Sequence, residues 1–228
     1  MPFDRAGWPF VAGAAICAAL AAAVAGSMTA SPFILPTGLF RFFFRDPHRR
    51  PPDDPDAVLS PADGRVLVAG PAEPAAAPPG EWLQVSIFLS PLDVHVNRVP
   101  VSGKVVRVSF RRGRFLPAYR AEAARSNEAS EIWIDHQGQS VVFRQLVGIL
   151  ARRVVCRIEP GQQVQAGERF GVMKFGSRMD VFLPRTAVLC VGVGHSVKGG
   201  ETILARLEPV FTRRQAQGLK VKTAPEAM

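Results

Sequence analysis

The sequence predicts a mainly β domain, a compact β-sandwich or barrel-sandwich hybrid, behind an N-terminal membrane helix or helical hairpin. Three observations predict it. From Val58 onward the chain is a succession of short runs rich in Val, Ile and Phe, punctuated by Gly, Pro and Asp-Gly. A Gly-rich pattern occurs twice: Gly161-x-x-Val164-x-x-Gly167-Glu168 returns as Gly194-x-x-Val197-x-x-Gly200-Glu201. Finally, Phe10 to Ala30 holds no charged residue and is long enough to cross a bilayer as a helix.

Taken in order, residues 1–44 read as a membrane anchor. Its second apolar piece, Ser31 to Phe44, is interrupted by Pro32, Pro36 and Arg41, which suits a short second crossing, a re-entrant segment or an interfacial helix. A cleaved signal peptide with a small-residue site near Ala25-Gly-Ser27 is the alternative to a retained anchor. Residues 45–57 form a basic, Pro-rich linker. The remainder, 58–228, is the β domain. Its strands are expected at Arg65–Ala69, Trp82–Leu89, Val94–Val99, Val105–Phe110, Glu131–Ile134, Val141–Leu150 and Val154–Ile158. The first of them is expected to stop at Gly70, with an exposed, mobile Pro/Ala loop over Pro71–Gly80. Ala118–Ala129 is the one modest helical candidate. Two Gly-rich copies are too few for a solenoid. A pair of hairpins around a sandwich fits better, and the Val-x-x-Gly-Glu pattern is similar to that of biotinyl and lipoyl domains. In those domains a Met-Lys sits on the turn between the halves, and Met173-Lys174 falls in the comparable place.

The net charge is +9, and Arg41, Arg45, Arg49 and Arg50 cluster just after the apolar segment. Positive flanks remain cytoplasmic and attract anionic head groups. This places the chain at a cell (inner) membrane, with its β domain on the cytoplasmic side. No recognition motif supports nucleic acid as the partner of these charges. Cys17, Cys156 and Cys190 have neither disulfide-like nor metal-like spacing, so no metal site is expected.

Three pieces carry candidate chemistry. Ser60-Pro-Ala-Asp-Gly-Arg-Val66 contains Asp63-Gly64, which is also an ordinary hairpin-turn pair. In Ser90-Pro-Leu-Asp-Val-His-Val-Asn-Arg98, an extended chain puts Asp93, His95 and Asn97 on one face. Of the four histidines, His95 is the one set in a strand that reads as central. The third piece is Gly176-Ser177, within Val172-Met-Lys-Phe-Gly-Ser-Arg-Met-Asp180. A serine after a glycine at a tight site can attack the preceding carbonyl and convert the amide to an ester. Elimination and loss of ammonia then leave a pyruvoyl group. A carboxylate, an imidazole and a serine are the parts of a nucleophile-activating relay. In it His95 accepts the Ser177 proton, while Asp63 or Asp93 orients the ring.

With these motifs in hand, the chain resembles the phosphatidylserine decarboxylase proenzymes of the short bacterial and archaeal type. The resemblance runs in order through Phe43-Phe-Arg-Asp-Pro47, Ser60 to Gly64, Ser90 to Arg98, Asn127-Glu128, Met173 to Asp180 and Gly194 to Thr202. It implies self-cleavage between Gly176 and Ser177, giving a β chain, 1–176, and an α chain, 177–228, that remain associated. It implies a covalent pyruvoyl cofactor derived from Ser177 and a Schiff base with phosphatidylserine. Decarboxylation would then yield phosphatidylethanolamine and CO2, with His95 as proton donor and Asp63 and His95 as relay partners. Long-branch members carry a second histidine three residues after the first, where this chain has Arg98, so the division of labour at His95 stays open. Arg45 and Arg49 are candidates for the lipid phosphate, with a plain positive flank as the competing reading. Two other functions fit the same text: a membrane-anchored lipoyl-like adaptor, whose expected heptad region is absent, and a decarboxylase homologue that does not process itself.

Overall fold

The structure is a computed structural model that describes residues 3–25, 31–149, 154–174 and 176–209. Two helices open the chain, α1 (Trp8–Ala25) and α2 (Ser31–Phe43). The strands follow. β1 (Ala57–Leu59), β2 (Gly64–Pro71), β3 (Trp82–Leu89), β4 (Val96–Arg98) and β5 (Gly103–Arg111) precede a single helical turn, α3 (Ala123–Ser126). After it come β6 (Ala129–His136), β7 (Gln139–Leu146), β8 (Val155–Cys156), β9 (Gln163–Val164), β10 (Arg169–Val172), β11 (Ser177–Pro184), β12 (Val188–Leu189), β13 (Ser196–Val197) and β14 (Ile203–Arg206).

Eight strands form one antiparallel sheet in the order β13-β2-β3-β11-β7-β6-β5-β9. Two three-stranded sheets, β1-β14-β12 and β4-β10-β8, complete the β structure. The mainly β architecture is therefore the one the sequence predicts. Alternation makes the core. Val85, Ile87 and Leu89 of β3 and Met179, Val181 and Leu183 of β11 point to one side and are fully buried there with Ile132, Ile134, Val141 and Phe143. The opposite face is also buried but polar. Gln84, Ser86, Arg144, Arg178 and Asp180 are buried there, and Arg144 donates to Ala76 O of the 72–80 segment.

The two Gly-rich copies occupy opposite ends of the large sheet. β9 pairs with Gly103–Lys104 and β13 with Gly64–Arg65. Each copy thus meets its own partner in a second repeat, Ser60-Pro-Ala-Asp-Gly-Arg-Val66 against Val99-Pro-Val-Ser-Gly-Lys-Val105. The hydrogen bonds repeat as well. Gly194 N–H donates to Val66 O and Gly161 N–H to Val105 O, while Gly200 N–H donates to Ser60 O and Gly167 N–H to Val99 O. Even the register shifts coincide, between Val66 and Val68 in β2 and between Val105 and Arg107 in β5.

Several boundaries differ from expectation. β2 continues through Gly70 to Pro71, which pair with Gln84 and Leu83; a proline is tolerated at a strand end, where its missing donor is not needed. The loop that follows is anchored, with Ala76 buried against Ala124, Ala129 and Leu146. The Ala118–Ala129 helix shrinks to α3. The Val94–Val99 strand shrinks to β4, which is the edge of a small sheet rather than a central strand. Leu150 of the expected Val141–Leu150 strand lies outside the described residues.

Among the described residues one helix, Arg5–Val24, is long and apolar enough to cross a membrane. Only 6% of its apolar window is buried. α2 folds back along it, with Phe10 against Phe40 and Phe44 at ring centroids of 5.5 and 5.4 Å. At ~1.5 Å per residue α2 is roughly 20 Å long, short of the ~30 Å hydrocarbon core. Both ends of the hairpin return to the β domain. Asp4 N–H donates to Phe44 O, and the Asp4 carboxylate takes two bonds from Arg157 at 2.6 and 2.8 Å. The 45–57 segment is likewise pinned down. Asp46 pairs with Arg98 and Arg169, and Arg49 with Asp63 and Glu201.

Candidate active site

Gly176 and Ser177 stand at the mouth of the central strand. Gly176 has φ +71°, a left-handed conformation that a side chain strains and glycine does not. Ser177 is the first residue of β11, paired with Leu89 of β3. It is fully buried, and its hydroxyl has no hydrogen-bond partner among the described residues. A buried, unpaired hydroxyl is costly, so such a group in a folded protein calls for a reason. Phe175, the residue before Gly176, lies outside the described residues.

His95 comes to the same end of the sheet by a different route. Met173 N–H donates to His95 O at 3.1 Å. The Leu89–Ser177 pair and the Met173–His95 bond therefore hold the two ends of the Ser90–Val94 connection beside the start of β11 and the end of β10. The His95 ring is buried beneath Phe43, the last residue of α2, with centroids 4.0 Å apart. Its Nδ1 lies 2.9 Å from the Asp93 carbonyl oxygen. A carbonyl only accepts, so Nδ1 carries the proton and Nε2 exposes its lone pair. Nε2 is buried with no partner among the described residues. Burial pushes the imidazole pKa down to about 4; the Asp93 carbonyl and charge oppose that shift and the Arg45 charge adds to it. His95 is a neutral imidazole at pH 7 with a free basic nitrogen.

The carboxylates are engaged elsewhere. Asp93 orients the ring through its backbone carbonyl, while its carboxylate accepts from Ser90 N–H at 2.7 Å. Asp63 Oδ1 accepts from Gly199 N–H at 2.8 Å and Oδ2 pairs with Arg49 at 2.6 Å. The internal repeat explains the first bond. At the equivalent position Ser102 Oγ accepts from Ala166 N–H at 2.9 Å. No hydrogen bond joins Asp63 to His95 or His95 to Ser177 among the described residues. The two candidate arginines also differ. Arg49 spends both terminal nitrogens on Asp63 and Glu201. Among the described residues Arg45 donates only to the carbonyls of Phe42 and Leu92, and no carboxylate there is in direct contact with its charge.

Three features escape the sequence reading. Gly148 is packed against the Gly176 carbonyl, so closely that a methyl carbon there would lie well within 3.0 Å of the oxygen. Asn127 fixes Gly148's surroundings: its side chain is buried, accepts from Leu116 N–H and donates to the carbonyls of Leu116 and Val147. The Asn127-Glu128 motif was the available signal. An apolar cavity of about 340 Å³ also borders Gly176, walled by Phe88, Pro91, Ala118, Tyr119 and Ile149. Behind it, Arg178 and Asp180 form a fully buried pair at 2.6 Å, with Ser86 Oγ bonded to both. Among the described residues no group of His, Cys, Asp and Glu side chains forms a metal cluster.

Comparison with known proteins gives this geometry a family. The family model described as Phosphatidylserine decarboxylase matches residues 37–205. A protein of Desulfotalea psychrophila named phosphatidylserine decarboxylase proenzyme is 40% identical over 208 residues, covering 91% of this chain and 97% of its own. A namesake from Pelodictyon phaeoclathratiforme is 47% identical over 179 residues, covering 77% and 84%. One from Paramagnetospirillum magneticum is 39% identical over 224 residues, covering 95% and 91%. The matched span takes in Asp63, His95, Gly148 and the Gly176-Ser177 pair together, and the chain belongs to the phosphatidylserine decarboxylase family.

Proposed function

We propose that this chain is a proenzyme that cuts itself between Gly176 and Ser177 and then converts phosphatidylserine to phosphatidylethanolamine and CO2 at a membrane. The observation that carries the reading is the buried, unpartnered Ser177 hydroxyl directly after a glycine at φ +71°. Family membership supplies the reaction class.

The self-cleavage uses this chain's own groups. Ser177 Oγ adds to the Gly176 carbonyl carbon as its proton passes to a base. The C–N bond then breaks, the nitrogen takes a proton, and an ester replaces the amide. Loss of the Ser177 α-proton expels Gly176 as a carboxylate and leaves dehydroalanine. Water converts that residue to a pyruvoyl group with release of ammonia. His95, neutral and with a free Nε2, is the base that suits the first step. The residues present fit the group: the position is buried, no side chain among the described residues hydrogen-bonds the Ser177 hydroxyl, and an apolar space adjoins Gly176. The pyruvoyl supplies an electrophilic carbonyl that captures the substrate amine and takes up the electron pair left by CO2.

For turnover, neutral His95 takes the proton that the substrate ammonium gives up on condensing with the carbonyl, and returns it to the carbon that lost CO2. Its burial excludes bulk water from that transfer. Arg45, rather than the doubly paired Arg49, is the guanidinium available to a phosphate. The apolar hairpin holds the site where a lipid head group lies, on the cytoplasmic side by the arginines that follow it.

Intact-mass analysis of the purified protein tests the reading. Two chains are expected, the smaller starting at residue 177 without a free amine, and Ser177→Ala stays whole. A single uncut wild-type chain, or a cut Ser177→Ala chain, overturns it. Purified cut protein should release CO2 from phosphatidylserine vesicles.

A further inference from the structure

Beyond the hairpin, a second apolar and basic surface surrounds the cavity beside Gly176. It begins at the end of α2. Arg45 lies over the Phe42 ring at 3.9 Å and donates to Leu92 O at 2.6 Å, tying the hairpin to the Pro91-Leu92 turn. Pro91 is a wall of the cavity, and the opposite wall is Tyr119 and Ile149, with Phe88 edge-on to Tyr119 at 6.0 Å. The outward side chains of this collar are large and apolar: Leu92 is 69% exposed, Tyr119 59% and Ile149 57%. Lone apolar residues on a surface need no explanation, but a contiguous set around a cavity mouth does.

The charges on the collar are of one sign. Residues 111–120, Arg-Arg-Gly-Arg-Phe-Leu-Pro-Ala-Tyr-Arg, hold four arginines and no acid. Arg112, Arg114 and Arg120 are exposed and form no ion pair among the described residues. Arginines interleaved with Phe115 and Tyr119 suit an anionic lipid surface, where aromatic rings sit at head-group level and cations meet phosphate. The segment is held rigidly by Asn127 through both backbone groups of Leu116.

We infer that this collar, Leu92 with the 112–120 segment and Ile149, is a second membrane-contact surface that rests on anionic phospholipid. It is continuous with the apolar hairpin through Arg45, so one bilayer surface reaches both. The consequence is that the cavity beside Gly176 opens into the lipid interface and receives the apolar part of a phospholipid without that lipid leaving the bilayer. This assignment rests on the membrane reading above but not on self-cleavage or turnover.

The test reads membrane contact alone. Full-length single-cysteine proteins are labelled with an environment-sensitive fluorophore at native Cys17, or at Leu92→Cys, Tyr119→Cys or Arg185→Cys. They are reconstituted into phosphatidylglycerol–phosphatidylcholine vesicles containing brominated phosphatidylcholine. Cys17 lies in α1 and reports insertion. Arg185 follows the far end of β11, about 23 Å from Ser177 at ~3.3 Å per residue, and serves as the dry control. Quenching is expected at 17, 92 and 119 and not at 185. Arg112→Glu/Arg114→Glu/Arg120→Glu should lower quenching at 119 by roughly half or more while leaving 17 unchanged. Quenching at 17 with none at 92 and 119 overturns the collar, and unchanged quenching at 119 in the triple variant overturns its anionic preference. Ser177→Ala serves equally well as the host. A chain that never cuts itself would defeat the enzymatic proposal and leave this result standing.

Discussion

The Cα of Gly148 is pressed against the carbonyl of Gly176, the group that the proposed chemistry attacks. Gly148 has an ordinary φ, so alanine there is free of backbone strain and acts through its methyl group alone. That methyl overlaps the oxygen and forces the carbonyl away from its place beside the Ser177 hydroxyl. Displacements near 1 Å cost on the order of 100-fold in reactions that depend on orientation. Gly148→Ala should therefore accumulate as uncut chain, with self-cleavage slowed at least ~10-fold, while the fold persists with a loss of about 1–3 kcal/mol. Electrophoresis of time points after synthesis measures the first, and thermal unfolding the second.

His95 makes stability depend on pH in a defined direction. Its folded pKa is about 4 and its ordinary value 6.5. Between those values the unfolded chain binds a proton that the folded chain refuses, so stability rises with pH across this window. Acidifying from pH 7 should cost about 3 kcal/mol by the time the pH falls below 4, beginning near 6.5. Denaturant unfolding of wild type and His95→Gln at pH 4.5 and 7 should show a smaller pH effect in the variant, by roughly 2–3 kcal/mol. In the wild type, self-cleavage should hold level down to about pH 5, because His95 remains a neutral base there.

Much of this was legible in the chain because it is written in local patterns. The Trp82–Leu89 run gave β3 with its bounds, and the Gly161 and Gly194 repeats gave two equivalent hairpins. The companion repeat, Ser60–Val66 against Val99–Val105, is in the sequence too. Only Pro, Gly and Val recur there, and Asp63 stands where the other half has Ser102, which disguises it. What local pattern does not carry is who faces whom. Asp63 sits in a motif that suggests a relay acid, but only the fold shows its oxygens on Gly199 and Arg49. Gly148 has no motif at all, and the Phe43-Phe-Arg-Asp-Pro47 motif does not say what the Phe43 ring covers. Each matters through a contact with a residue at least 28 positions away, made by the curl of the sheet and the return of α2.

Asp63 and Ser102 cap equivalent turns, which makes a graded series possible at Asp63. Asp63→Ala loses the turn cap and leaves the buried Arg49 side chain with one acid fewer, at a cost on the order of 3 kcal/mol. Asp63→Ser keeps a hydroxyl for Gly199 N–H, as Ser102 does for Ala166, and should recover about 1 kcal/mol of that. Chemical denaturation should rank wild type above Asp63→Ser above Asp63→Ala. Cleavage of Asp63→Ser then reads the relay role separately: a stable but uncut protein assigns Asp63 to the reaction, and a cut one assigns it to the turn.

Cutting at Gly176 should not release the smaller chain. It begins with β11, which is flanked on both sides, by β3 along its whole length and by β7 over five residues. It also supplies β13 to β2 and β14 to β1, and Glu201 to Arg49. A central strand is held by ladders on both edges and by side chains on both faces. Size exclusion in mild detergent should give one species containing both chains, which separate only in denaturant.

Phe43 links the hairpin to the chemistry, since its ring covers the His95 imidazole at 4.0 Å and helps keep it from water. Burial is the main cause of the low His95 pKa, so opening this cover should move the pKa back toward 6.5. Phe43→Ala is expected to raise it by about 1 unit or more, shifting the acid limb of self-cleavage upward by the same amount. Phe43→Leu restores most of the apolar cover and should lie near wild type. NMR titration of the His95 ring carbons in detergent measures the pKa directly, apart from any change in rate. An unmoved pKa in Phe43→Ala would show that the domain alone keeps His95 dry, and that the end of α2 serves attachment without tuning the base.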